Sequence, residues 1–587
     1  MNSVNWRPSF GANLLEQQRT RFRVWAPAQK IMSVAIEGGY RVAMKPAGDG
    51  WFEAEATCGA GTRYHFLLAD DTAIPDPASR GQDSDVHGES IVVDAASYNW
   101  RHPHWVGRPW HETVLYELHA GVLGGYAGVM RELPRLAALG ITAVELMPIA
   151  EFPGARNWGY DGTLPYAPER GYGTPDELRA LIDAAHGHGL MVFLDVVYNH
   201  FGPDGNYLPL LAPEMFRGDV STPWGPAIDF RRPQVRRFFT ENALYWLLDY
   251  RFDGLRFDAV HAITEPDWLH EMATEVRCTV RRGRAVHLVL ENDRNDAACL
   301  SRDFDAQWND DAHHVLHVLL TGEHEGYYGD YADKPAERLA RCLREGFGYQ
   351  GEPSPHRGGK PRGSPSAALP PMAFVLFLQN HDQIGNRAFG ERLTTLADPR
   401  ALEAATALQL LAPQIPLIFM GEETASKAPF LFFTDHNQEL AKAVREGRKA
   451  EFSTFPHFSD PALIARLPDP NARDSFEHSR PVPEGGCAAA RSLFYHELLK
   501  VRRAEIVPRL PNTHALDAHA LGAAAVVARW QMGDGSLLTV ACNLGQSSVG
   551  MPSLSGRVLF ATSQTAGKQA SSGRLSGCST VAALDLK

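Results

Sequence analysis

Four short apolar runs in this chain end in side chains able to move a proton or attack an electrophile. Residues 190–200 (LMVFLDVVYNH) carry Asp195, Asn199 and His200, and residues 254–260 (GLRFDAV) carry Arg256 and Asp258. Residues 286–292 (VHLVLEN) reach Glu291, and residues 373–382 (AFVLFLQNHD) reach His381 and Asp382. A single carboxylate after an apolar run is more often a helix N-cap or a solvated loop residue than a reactive group. The same feature on four runs argues for a shared site, because burying unpaired charge for packing alone is costly. Carboxyls of unequal proton affinity are what glycosidic cleavage needs. One attacks or stabilises an oxocarbenium-like centre, and the other protonates the leaving oxygen. Arg256 precedes Asp258 by two residues, so on a strand both project from one face, and the guanidinium keeps Asp258 ionised as a nucleophile must be. Glu291 closes the apolar run HLVLE. Partial burial there is expected to raise its pKa and keep it protonated as a general acid.

These groups need a frame that brings strand ends together. Besides the four runs above, residues 113–121, 143–149, 306–310 and 415–423 read as buried strands, and amphipathic helical stretches lie between the strands. Eight such alternations predict an α/β chain with a (β/α)8 TIM barrel, whose reactive groups gather at the C-terminal ends of the strands. Residues 1–100 instead show short alternating aromatic-rich runs separated by Gly-rich turns, the pattern of a β-sandwich. Residues 510–587 alternate again. The expected domains are an N-terminal β-sandwich over 1–105, of a kind that can bind carbohydrate, a catalytic barrel over 106–505 and a small β-domain over 506–587. Residues 201–230 lack helical period and read as a loop excursion from the barrel. Residues 348–371, rich in Gly, Pro and Ser, read as a mobile surface loop.

Composition removes several classes of function. The net charge of −12 argues against a nucleic-acid partner. No run of about 18 apolar residues reads as a membrane span, and no basic stretch followed by an apolar run reads as a signal peptide. The 7 cysteines are odd in number, scattered and without a CxxC pair, which reads as a reduced cytoplasmic chain with no disulfide framework. No G-x-G-x-x-G follows a strand, so a dinucleotide cofactor is not expected. Asp310, Asp311, His313 and His314 crowd the sixth strand end, yet no third ligand closes a metal spacing. Sugar contacts or packing suit them better, and neither a metal nor another cofactor is expected. Trp224 and Trp308 are each candidates for a sugar platform or for core, with Trp308 placed in the cleft.

The segments DVVYNH, GLRFDAVHAI, LVLEN and FLQNHD occur in the order of the four signature regions of the α-amylase superfamily, glycoside hydrolase family 13, and the chain resembles that group. The resemblance implies Asp258 as nucleophile, Glu291 as general acid/base and Asp382 as transition-state stabiliser, in a retaining double displacement. It implies that Arg256 orients Asp258, that His200 and His381 bind the sugar at the cleavage point, and that Tyr160 stacks on that sugar. Asp195 becomes a structural support within the site. Some relatives hold calcium at the position of Asn199, but the excursion offers few extra carboxylates, so no required calcium is expected. A finer resemblance, on ENDRN, QWNDDAHHVLHVLLTGEHEGYYGDY, FLQNHDQIGNRAFGERL and PLIFMGEE with PFLFFTDH, is to the maltooligosyltrehalose trehalohydrolases. It implies hydrolysis of the α-1,4 bond next to a terminal trehalose unit. A separate isomerase would form that substrate, with no stable complex between the two enzymes. It also points to the loops 383–393 and 421–436 as readers of the 1,1 linkage. A glycogen branching enzyme, which uses the same carboxylates but resolves the intermediate with a sugar hydroxyl, is the alternative. A debranching enzyme is a third member of the group. A non-catalytic glucan scaffold is disfavoured because the carboxylate trio is intact.

Overall fold

The computed structural model describes residues 6–15, 18–280, 283–455 and 460–586. The eight apolar runs form eight parallel strands: β1 (Leu115–Leu118), β2 (Ala143–Leu146), β3 (Met191–Val196), β4 (Gly254–Phe257), β5 (His287–Leu290), β6 (Ala306–Trp308), β7 (Phe374–Phe377) and β8 (Ile415–Phe419). Each pairs with the next, and β8 returns to β1 through Leu115 and Leu417, so the sheet closes into a barrel. Every strand residue is buried, because helices cover the outer face and side chains fill the inner one. This is why the runs are mostly apolar on both faces rather than alternating. The helices begin and end where local chemistry dictates. Thr174 and Glu177 form a reciprocal capping box ahead of Pro175–Gly187, and Gly140 in a left-handed conformation ends Gly125–Leu139.

The inner face follows a two-residue rhythm. Leu115, Ala143, Met191, Phe193, Val289, Ala306, Trp308, Val375, Phe377, Ile415 and Leu417 make one apolar cluster in the lower barrel. Two residues beyond members of that layer, the same strands present Glu117, Glu145, Asp195 and Glu291, and β4 presents Arg256 and then Asp258. The apolar floor thus turns into a charged ceiling within a single step of the strand.

The N-terminal region is two antiparallel sheets, one centred on Arg19–Trp25 and Trp51–Thr57, the other on Ser33–Ile36 and Arg63–Leu67. It rests on the barrel through Ser9, whose backbone N–H and hydroxyl donate to Glu241 at 2.6 and 2.7 Å, and through Ala28 N–H on the Leu211 carbonyl at 3.0 Å. The C-terminal sheet runs in the order His514–Gly522, Ala525–Gln531, Leu537–Asn543, Ser579–Asp585, Arg557–Ala561. Its inner strands lie on the barrel helix Pro399–Leu411, where the Thr580 hydroxyl donates to the Ala404 carbonyl at 2.7 Å. The excursion over 201–230 holds a short helix, Leu208–Leu211, and a hairpin of Phe216–Thr222 with Gly225–Ile228. The segment 348–371 differs from the loop expected of its composition. It carries a small pairing of Pro353–Ser354 with Lys360–Pro361, and the Asp311 carboxylate accepts the backbone N–H of Gly348 and Tyr349 at 2.8 and 2.9 Å. Among the described residues no helix is long and apolar enough to cross a membrane.

Gly254 opens β4 opposite Phe193 of β3, and a Cβ there would stand 2.1 Å from the Phe193 ring. Gly254→Ala is therefore expected to destabilise the barrel by about 1–3 kcal/mol, with Phe193→Leu in the same chain recovering part of the loss. Thermal unfolding measures both. An unchanged melting temperature for the single variant would show that β3 and β4 have slack at this point.

Candidate active site

Arg256 is wholly buried and is the centre on which the strand-end acids converge. Its Nη1 donates to both oxygens of Asp195, at 2.9 and 2.7 Å, and to Asp258 at 2.8 Å. Its Nη2 donates to Glu291 at 2.8 Å. The same Glu291 oxygen accepts the backbone N–H of Ala259 at 2.9 Å. Ala259 offers that N–H by adopting a left-handed backbone, φ 40°, which costs a non-glycine residue strain and fits the pattern of strain at a working site. Asn199 donates its side-chain amide to Asp258 at 3.0 Å, and His200 bonds the Tyr160 carbonyl through Nε2 at 2.9 Å.

A second buried cation stands across the cleft. The Tyr160 hydroxyl donates to Asp195 at 2.6 Å, so toward His381 Nε2, 2.8 Å away, it can only accept. His381 Nδ1 lies against the Glu117 carboxylate at 2.5 Å. Both ring nitrogens therefore donate, and the imidazole is charged. Burial works against that charge. Asp382, 3.5 Å from Nε2, and Glu117 outweigh it and hold the pKa up at about 9. Glu117, from β1, does not stand out in the sequence. An acid inside the run LYEL is visible, but its partner appears only once β7 is folded beside it.

The acids share their protons unequally. Burial, followed by the charge of Glu291, pushes Asp258 well above the usual carboxylate range. Burial also pushes Glu291 upward, but Arg256, the Ala259 N–H, His261 and His381 overcome it, so Glu291 lies below its ordinary value. The expectation that burial alone would keep Glu291 protonated is thus corrected. The strand end is apolar, but the two donors placed there favour the carboxylate. Groups this close titrate as a pair.

These residues open on a cavity of about 690 Å³, large for a single sugar. Tyr160, His200, Asp258, Glu291, His381 and Asp382 all line it, and Trp224 stacks on His200 at its rim, ring centres 5.0 Å apart. Asp195 and Arg256 lie just beneath. Trp308 is placed otherwise than expected. It is 1% exposed, lies under the Arg256 guanidinium at 4.3 Å and packs on Phe377, so it is part of the floor. Its position two residues before Asp310 on an inward-facing strand explains this. Arg357 and Arg362 reach the cavity from the segment 348–371 and both pair with Asp293, a contribution that its Gly/Pro-rich composition conceals. Among the described residues no group of three acids, histidines or cysteines is arranged to hold a metal ion.

Known proteins share this architecture. Residues 79–209 match the family described as alpha amylase, catalytic domain, and residues 513–582 match the domain of unknown function DUF3459. The malto-oligosyltrehalose trehalohydrolase of Deinococcus radiodurans is 43% identical over 497 residues, 83% of this chain and 82% of that protein. The protein of the same name from Rhizobium sp. (strain M-11) is 39% identical over 513 residues, 82% of this chain and 84% of its own. A 1,4-alpha-glucan branching enzyme of Streptomyces coelicolor is 35% identical over 278 residues, but spans only 42% of this chain and 37% of that one. The crystal structure of a candidate alpha amylase from Salmonella typhimurium superposes with a TM-score of 0.92 at 43% identity, covering 99% of this chain and 100% of that one.

His381 supplies a pH test. Its folded pKa of about 9 lies above the ordinary imidazole value of about 6.5. The stability it contributes is therefore complete below about pH 6.5 and is lost as pH rises through about 9. Thermal unfolding of the native protein should weaken between about pH 7 and 10 more steeply than that of Glu117→Gln, which lacks one of the charges raising that pKa. Equal slopes would mean that His381 is neutral in the fold.

Proposed function

This chain belongs to the malto-oligosyltrehalose trehalohydrolases of the α-amylase group, and from that premise we infer that it hydrolyses the α-1,4-glucosidic bond next to the terminal trehalose unit of a maltooligosyltrehalose, releasing trehalose. The observation that carries the chemical reading is the single guanidinium of Arg256 joined to Asp195, Asp258 and Glu291. It keeps the two reacting carboxyls on neighbouring nitrogens of one planar group. That supports the narrow spacing, about 5 Å, of a retaining enzyme rather than the wider gap that seats a water between acid and base.

In this reading Asp258 attacks the anomeric carbon while Glu291 gives its proton to the departing oxygen. Arg256 and the Asn199 amide orient Asp258 for that attack. Because the pair titrates together, the proton it holds can lie on Glu291 once a sugar is seated against Asp258. Asp382 takes sugar hydroxyls and balances the positive charge that develops on the ring. Tyr160 offers a flat face to the same sugar, and His381 and His200 bind its hydroxyls. Glu291 then returns as a base to activate the water that frees the covalent intermediate. The substrate would come from a separate isomerase that converts the terminal maltose linkage of a maltooligosaccharide, without a stable complex.

Incubation with maltotriosyltrehalose beside maltopentaose, followed by chromatography, tests the reading. Rapid release of trehalose from the first and slow cleavage of the second are expected. Equal cleavage would make the protein a general α-glucan hydrolase, and new branch points in amylose would make it a transferase. Asp258→Asn and Glu291→Gln should each lower kcat by at least about 10²–10⁴-fold with the fold retained. Near-native turnover in either would overturn Asp258 as nucleophile or Glu291 as acid/base.

A further inference from the structure

The first turn of the helix after β6, Asp310–Thr321, carries four acids and imidazoles within five residues, and the fold treats them in two ways. Asp311 and His313 are fully engaged. Asp311 accepts from Gly348, Tyr349, Asn295, Tyr331 and Arg362, and His313 bonds the Leu378 carbonyl at 2.7 Å and the Tyr328 hydroxyl at 3.3 Å. Asp310 and His314, one helical turn apart and so on one face, line the cavity instead. Among the described residues the Asp310 carboxyl makes no hydrogen bond or ion pair. His314 is 9% exposed, its Nδ1 is buried without a partner among the described residues, and its ring is clamped by Tyr327 and Tyr331 at 4.7 and 5.0 Å. The unpaired imidazole nitrogen is costly where it is buried, and beside it on the cavity wall the part-exposed Asp310 carboxyl is also open to a ligand's polar groups.

Their position says which part of a substrate they meet. Asp310 opens the helix that follows β6 and lines the cavity, and β6 is the neighbour of β5, beyond which Glu291 stands. Glu291 must stand against the leaving oxygen, so the wall beginning beside it and continuing through Asp310, His314 and Tyr327 faces the departing sugar. Tyr160 and His381 face the sugar that stays. The state of both groups suits neutral hydroxyls. Burial and then His313 hold His314 well below the ordinary imidazole value, which gives one donor and one acceptor. Burial, then Glu291, pushes Asp310 up to about 8, with Asp382 and Asp311 adding to the rise and Arg362 opposing it. At neutral pH its carboxyl therefore keeps a proton to donate.

We propose that Asp310 and His314 hydrogen-bond hydroxyls of the leaving disaccharide and set the preference for a 1,1-linked unit over a 1,4-linked one. The proposal rests on the trehalohydrolase reading and moves part of the recognition from the loops 383–393 and 421–436 to the β6 helix. The linkage decides because it fixes how the second glucose turns its hydroxyls to this wall, and a site built to bond a hydroxyl penalises a ligand that leaves its groups unpaired.

The test compares kcat/KM on maltotriosyltrehalose and on maltopentaose for the native protein, Asp310→Ala, His314→Ala and Asp310→Asn, with folding checked by circular dichroism. In each alanine variant the preference for the trehalose-ended substrate should fall about 10–100-fold, and inhibition by free trehalose should weaken by a similar factor. Asp310→Asn, which keeps a donor of the same size, should recover most of the preference. Equal losses on both substrates, or an unchanged preference and trehalose inhibition, would overturn the proposal while leaving the enzyme's activity established. If the native protein itself releases no trehalose, the trehalohydrolase reading fails first.

Discussion

One buried guanidinium carries the site. Arg256 lies wholly inside the barrel, and a charge there costs several kcal/mol unless it is fully bonded. It is bonded to three acids at once, from β3 and the ends of β4 and β5, while its face rests on Trp308 of β6. Each partner holds the others in place. Asp195 turns Tyr160 toward His381, and Glu291 draws the Ala259 N–H into a strained backbone. Removing any one partner leaves charge unmatched in the low-dielectric floor, so the arrangement tolerates little change and is held to one geometry.

The barrel makes that convergence possible. Its strands are short, yet the two-residue step places an apolar side chain below and an ionisable one above on β1, β2, β3 and β5. Closing the sheet brings those upper residues into one ring. The outer domains brace it. The N-terminal sheets hold the excursion that carries Trp224, and the C-terminal sheet rests on the barrel helix Pro399–Leu411.

Much of this was legible in the sequence, and the reasons for what was not are specific. All eight strands show as apolar runs because burial on both faces leaves a continuous signal, and Asp258, Glu291 and Asp382 stand out because they interrupt it. Trp308 misleads because a tryptophan beside a cleft and one beneath it look alike in sequence, and only its depth in the barrel, two residues short of the cavity-lining Asp310, separates them. The proton affinity of Glu291 depends on Arg256 and Ala259, which lie far from it in the chain and beside it in the barrel. Arg357 and Arg362 hide in a segment whose Gly and Pro content suggests mobility. Their anchors, Asp293 and Asp311, sit outside that segment. In each case the missing information is a tertiary contact that local pattern does not encode.

The charges of the cleft have a further consequence. Arg256 and His381 are its inner cations, and five carboxyls surround them: Glu117, Asp195, Asp258, Glu291 and Asp382. Glu145 lies beneath, with neither oxygen bonded among the described residues, and burial, then Glu117, holds it well above the usual carboxylate range. Carboxyls thus outnumber cations at the heart of the cleft. An oxocarbenium-like sugar supplies positive charge in the transition state but not in the ground state. In the proposed reaction, carboxyls preorganised around few cations would bind the former more tightly than the latter, which is the condition for accelerating the chemical step. The unequal pKa values of the acids follow from that shortage of cations: where neighbouring carboxyls outnumber their counter-charges, some must hold protons, and the placement of Arg256 and the Ala259 N–H decides which.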